Sequence, residues 1–356
     1  MQYRHNWYKR KWIKALLTTI MVLLMVWIGK LVVVNTDTFN PLKVSLSQFH
    51  FSDIYFHWHR GHNADAAADM VLVDIQYLHD REEIATLLDS IAAHRPKVVA
   101  LDVIFPPAVS LDPAADSHLT AAVSACPKVV LAQNAVPLPD GSWRLERSFF
   151  ADGYTEGAVN MPASVVRYAE PLFDTLPTFA AQVATLATEH CTLNTAHLID
   201  FGGAHQMTWT PGTEDFYLPA LEGKLVFVGD LGDLRDYHNI PIGTGGQSRM
   251  SGTEVHALAT AALLDNTAYR EAKSGWSLLG QCVMLYLFIL LLYIIPKDAL
   301  GGLTGKILQV LFILIALPVC YILFLSCHLI ISPTILIIGF GLSGLAMSIV
   351  NAIIKD

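Results

Sequence analysis

Three aspartates stand at the ends of three apolar runs. Asp74 closes MVLVD, Asp102 follows VVAL within PKVVALDVIF, and Asp230 ends KLVFVGD. Short Val-rich runs of this kind suit strands buried on both faces, and open α/β sheets place their ligand crevices at the carboxyl ends of such strands. If the strands are neighbours, the three carboxylates converge on one edge, where they could bind a divalent cation or a polar ligand. The other use of an aspartate there is to cap a helix or brace a loop through backbone amides. Residue type alone leaves both uses open. The third run leads into Gly229-Asp230-Leu231-Gly232-Asp233-Leu234-Arg235-Asp236. Its three carboxylates would repel a phosphate, so it is not read as a nucleotide loop. Asp236 with His238, and His256 further on, are placed to form a small polar network.

The only dense histidine cluster is His57-Trp58-His59-Arg60-Gly61-His62. In an extended segment His57 and His59 would share one face and offer two metal nitrogens, but no acidic or cysteine ligand stands at a fixed spacing beside them. A partner or interfacial contact is the stronger use. A Gly-x-Ser-x-Gly elbow and a Cys/His pairing are both missing, and Ser251-Gly252 reads as a helix entry. The chain is therefore not expected to be an enzyme or to need a cofactor. Five cysteines are too few for a disulfide framework, and spacing does not decide whether Cys126 pairs with Cys191.

The elements that must position these residues follow from the apolar pattern. A fourth run, KVVLAQN, joins the other three, and helical patterns separate them. Ile84, Leu87, Leu88 and Ile91 recur at helical spacing, Leu119 to Ala125 and Phe179 to Thr188 form two more short helices, and Leu198 to Phe201 reads as a strand. Ser251 or Thr253 caps a final helix ending near Asn266. Together they define an α/β domain around a mostly parallel sheet flanked by helices.

Of the 356 residues, 53% are hydrophobic and 15% charged, and the imbalance is local. Residues 1–14 form a basic tail; 15–34, 275–295, 307–326 and 331–354 are long and apolar enough to cross a bilayer. This gives four transmembrane helices, one before the domain at 35–274 and three after it. Segment 35–274 carries 14 Lys+Arg against 29 Asp+Glu, whereas the rest carries 9 against 2. An acidic domain between basic flanks does not suggest nucleic acid as a partner.

Arg4, Lys9, Arg10, Lys11 and Lys14 precede the first span, Lys297 and Lys306 lie in the 296–306 loop, and Lys355 follows the last span at 355–356. The 327–330 turn has neither Lys nor Arg. Positive residues mark the cytoplasmic side, so both termini are expected there, with residues 35–274 outside. Gly339, Gly341 and Gly344 would let the last helix pack closely on another.

VLVDI, REEIATLLDSI, PKVVALDVIF, KVVLA, LPTFAAQVA and LIDFGG together resemble the second type of CHASE domain, an extracellular sensory domain associated with bacterial cyclases and histidine kinases. The closing block LEGKLVFVGDLGDLRDYHNIPIG…MSGTEVHALATAALL carries the likeness furthest, with Gly229, Asp236, Gly252 and His256 at family positions. One span before and three after match the family layout. The resemblance implies an integral protein of the bacterial inner membrane whose outer domain binds a ligand or partner. Its ligand-binding candidates are Asp74, Asp102, Asp230, Asp236 and His256. Family members usually carry an output domain after the last span, and this sequence ends two residues beyond it. The expected partner is therefore a separate protein acting in trans, either a signalling protein or a subunit of an envelope complex; a homo-oligomer is compatible with either. An assembly subunit is the alternative function, and an extracytoplasmic metal-dependent enzyme ranks third.

Overall fold

The computed structural model describes residues 10–35, 50–58, 67–106, 112–188, 195–212, 220–241, 249–265, 269–272, 274–295 and 303–354. The chain divides into two compact units, residues 56–268 and a unit built from the flanking segments Met1–Tyr55 and Tyr269–Asp356.

The first unit is a sheet covered on both faces. Its central strands are β1 (Met70–Asp74), β2 (Val98–Leu101), β3 (Val129–Pro137) and a strand from late in the chain, Leu225–Gly229. The last is inserted between β1 and β2, parallel to both, with Val71 beside Val226 and Val99 on its other side. β2 continues parallel to β3. The nine-residue β3 then pairs with β4 (Trp143–Glu146) in antiparallel fashion through its second half and with β5 (Thr155–Ala158) in parallel through its first. Thr208–Pro211, here β6, adds an edge beside β1, so the late strand is β7.

Alternation along each strand sorts the side chains into two cores. Val71, Val73, Val99, Leu101, Val226 and Val228 face one side, where Ile84, Leu87, Leu88 and Ile91 of α3 (Arg81–Ala93) and Leu119 of α4 (Pro113–Ala125) pack. Met70, Leu72, Val98, Ala100 and Phe227 face the other, against α5 (Phe179–Ala187) and α6 (Gly252–Leu264). Strands apolar on both faces read as continuous runs, which is how they stood in the sequence.

Local chemistry sets the helix ends. Asp80 caps α3 by accepting from Glu83 N, and Asp112 caps α4 just before Pro113, whose fixed φ suits a first helical turn. α4 thus starts six residues before the Leu119 expected from periodicity. His118 of α4 lies between two carboxylates of α3, Glu82 at 2.8 Å and Asp89 at 2.9 Å. The Asp89 bond, then that to Glu82, pushes its imidazole above the ordinary 6.5. The Leu198 segment does not join the main sheet: His197–Leu198 pairs antiparallel with Tyr168–Ala169, and a 3-10 turn follows.

The second unit contains α1 (Lys11–Asn35), the first five residues of α2 (Phe51–Trp58), α7 (Ser274–Ile294), α8 (Leu303–Cys327) and α9 (Thr334–Ile353). Four of these helices, all but α2, are long and apolar enough to cross a membrane. Phe288, Phe312 and Phe340 bring α7, α8 and α9 together with ring centroids 4.6 to 5.6 Å apart. Polar contacts add specificity. Thr18 and Tyr293 share a 3.0 Å hydrogen bond, and Gln309 Nε2 donates to Phe340 O and Ser343 Oγ.

Val99 is fully buried on the α3/α4 face. We predict that Val99→Asp destabilises this unit by about 3 kcal/mol or more, because it buries an unpaired carboxylate. Thermal unfolding followed by circular dichroism checks this; an unchanged melting temperature would show that β2 is not interior.

Candidate functional site

The late strand decides what lies at the carboxyl edge of the sheet. Asp102 N donates to Val228 O and Ile75 N to Gly229 O, which sets the ends of β1, β7 and β2 side by side. Yet the three aspartates do different work. Asp74 is buried, and its Oδ1 accepts from Gln76 N and Leu231 N, both at 3.0 Å. Asp230 Oδ1 accepts from Gly232 N at 2.9 Å and Asp233 N at 3.1 Å. These two carboxylates brace the loop after β7.

Asp102 is followed by apolar residues, and its carboxylate turns to a distant partner. Its Oδ2 accepts a hydrogen bond from Thr253 Oγ1 at 2.7 Å, in the first turn of α6. That helix is entered through a capping box: Ser251 Oγ accepts from Glu254 N, and the Glu254 carboxylate accepts from Ser251 N. Asp236 Oδ2 accepts from Gly252 N at 3.1 Å, and its Oδ1 lies 3.5 Å from His238 Nε2. The structure therefore gathers Asp102, Asp236 and His256 from the expected set and adds His238 and Thr253. Thr253 was legible only as a possible cap; Ser251 is the cap, which frees the Thr253 hydroxyl for Asp102.

Two glycines are required by this close approach. A Cβ at Gly229 would sit 2.2 Å from Thr253 Oγ1, and one at Gly252 would sit 2.3 Å from Asp236 Oδ2. Hydroxyl and carboxylate occupy the space that any side chain would need.

His256 lies one turn into α6, buried, with its ring edge-on to Phe179 at 5.2 Å and hydrogen-bonded to the Val159 backbone. Burial holds its imidazole below the ordinary 6.5, opposed first by the Asp102 charge and then by Asp236. Asp102 keeps a little accessible surface, but loss of water pushes its carboxyl above the ordinary 3.8; His256 and the Thr253 bond oppose this, in that order. An acid and a base are thus each biased toward the neutral form, beside an α6 N-terminus whose dipole favours negative charge. Perturbed groups of this kind at a sheet's carboxyl edge make this corner the candidate functional site.

The other candidates separate. His57 belongs to the helix α2 rather than an extended segment, and His59 lies outside the described residues. Among the described residues no three His, Cys, Asp or Glu are arranged to hold a metal ion. Cys126 is a free buried thiol, pushed by burial to about 11, and Cys191 lies outside the described residues. The glycines of α9 do not form one surface. Gly339 meets Leu285 of α7 and Gly344 meets Gln309 of α8, whereas Gly341 is exposed with no atom within 4 Å of an added Cβ. At 100° per residue, positions 339 and 341 point to opposite sides.

Fold and site together define a multi-pass membrane protein with an α/β domain inserted between its first and second spans. The CHASE2 domain family model matches residues 19–295, from within α1 through the domain to the end of α7, and the chain belongs to that family. No curated protein and no solved structure matches it.

The signs of the two shifts oppose each other. A raised Asp102 pKa means that stability is fully present below 3.8 and is lost as pH rises through the folded-state value; a depressed His256 pKa means loss as pH falls below 6.5. Asp102→Asn keeps an acceptor for Thr253 and removes the first dependence. We predict a higher melting temperature than wild type at pH 7.5, with the gain shrinking toward pH 4. Calorimetry at the two pH values checks it; a loss at pH 7.5 would mean that the carboxylate is well satisfied.

Proposed function

We propose that the protein is a membrane sensor. Its α/β domain lies outside the cytoplasm of a bacterial inner membrane and engages a ligand or protein partner at the Asp102–Asp236–His256 corner. Its helices then couple that event to a separate signalling protein, without catalysis by this chain. The observation that carries this reading is the family match running unbroken from the first span through the domain into the second. The corner supports it: a buried acid–base pair is poorly suited to stabilising a fold and well suited to answering a bound group or a change of charge. The lysine distribution supports the orientation.

A second reading, an assembly subunit of an envelope complex, draws on the outward face of α9. Ile338, Gly341 and Leu345 are exposed along it, with the glycine a notch between two large side chains. Either reading places a partner in the membrane plane, and the identity of what co-purifies in mild detergent separates them. A signalling enzyme favours sensing, and a multi-subunit envelope assembly favours the second.

Two outcomes are expected. Ser142, in an exposed turn, replaced by cysteine should react with an impermeant maleimide in intact cells; protection there together with labelling after lysis would reverse the orientation. Gly341→Leu should reduce partner recovery at matched expression while leaving thermal unfolding unchanged, because the position is exposed and an added Cβ there has no atom within 4 Å. Full recovery would make that face a lipid contact.

A further inference from the structure

The two segments that lead into and out of residues 56–268 close on the same end of the last two spans. Tyr55 of α2 is fully buried; its hydroxyl donates to Ile331 O at 2.9 Å, and its ring lies 5.6 Å from Phe324 and 6.2 Å from Tyr321. Tyr269, just after the domain, stacks on the same Phe324 with centroids 4.5 Å apart and planes 15° from parallel. Its ring also meets His328 edge-on at 5.2 Å. The backbone then commits. Arg270 and Glu271 pair in parallel with Leu329 and Ile330, and Ala272 N donates to Ile330 O at 3.0 Å. His328 makes the turn possible by taking φ +50°, an uncommon conformation for a residue with a side chain.

In sequence the domain is joined directly only to α1, through α2, and to α7. Helices α8 and α9 lie one and two connections further on, yet their shared turn holds both flanking segments. Packed aromatic rings and paired strands shift between discrete arrangements rather than deforming continuously, so a displacement of one segment cannot leave the turn unaffected. We propose that Phe324–Ile331 is a transmission clamp: it grips the entering segment at Tyr55 and the leaving segment at Tyr269–Ala272, and passes movement of either to α8 and α9. The clamp would be the physical route of the coupling in the sensory reading and takes its purpose from that reading, while its geometry stands independently.

Coupling of this kind is reciprocal, so it can be read without a ligand. The experiment is hydrogen–deuterium exchange by mass spectrometry on the full chain in detergent micelles. Tyr55→Ala should speed exchange by about tenfold at 270–272 as well as at 51–55, and Tyr269→Ala should do the same at 51–55. Phe324→Leu, which keeps an apolar side chain in place, should loosen both segments together, with exchange of β1 and β7 unchanged. Acceleration confined to the segment bearing each substitution, with the other at the wild-type rate, would overturn the clamp. That result would leave the sensory reading in place, because that reading is tested by what binds and co-purifies.

Discussion

The insertion of Leu225–Gly229 between Met70–Asp74 and Val98–Leu101 is the constraint on which the domain depends. All five of its residues are buried, and its backbone pairs on both sides. Until it is in place, β1 and β2 each present an unpaired edge, whose buried amides and carbonyls lack partners, which a protein interior does not tolerate. It is also the longest-range pairing in the sheet, so early and late chain must meet before either core is complete. Its last residue, Gly229, then admits Thr253 within a distance that no other side chain would allow. Closing the sheet and building the Asp102 corner are one event.

The interior of this architecture was legible and its rim was not. β1, β2, β7 and the buried part of β3 were readable because burial on both faces leaves an uninterrupted apolar run. α3 was readable because Ile84, Leu87, Leu88 and Ile91 recur at its period. β4, β5 and β6 lie beyond the runs, are four residues long, and carry charged or turn-forming residues such as Arg144, Glu146, Gly157 and Pro211. For such segments the partner strand decides, not local preference. The strand expected at Leu198 is present but shorter, His197–Leu198, with a 3-10 turn starting at Phe201.

At the site, three aspartates in one setting took two roles, and the distinction rests on the residues just after each. Asp230 precedes Leu-Gly-Asp, which folds its amides back onto the carboxylate, and Asp74 gains Gln76 N locally. Asp102 precedes Val103, Ile104 and Phe105, which run on without turning back, so its carboxylate waits for a tertiary partner. That partner, Thr253, lies 151 residues away and is invisible to any local pattern. The glycines of α9 carry the same lesson: residue type suggested one packing stripe, but helical geometry turns Gly341 away from the face shared with Leu285.

Asp102 and His256 form one electrostatic unit under the start of α6, each charge opposing the effect of burial on the other. The most direct measurement is the imidazole titration of His256 by NMR on selectively labelled full-length protein, in wild type and in Asp102→Asn. Burial should hold the wild-type midpoint below 6.5, and removing the carboxylate that favours the imidazolium should lower it further. A wild-type midpoint at or above 6.5, unmoved by the substitution, would mean that His256 is neither desolvated nor coupled to Asp102.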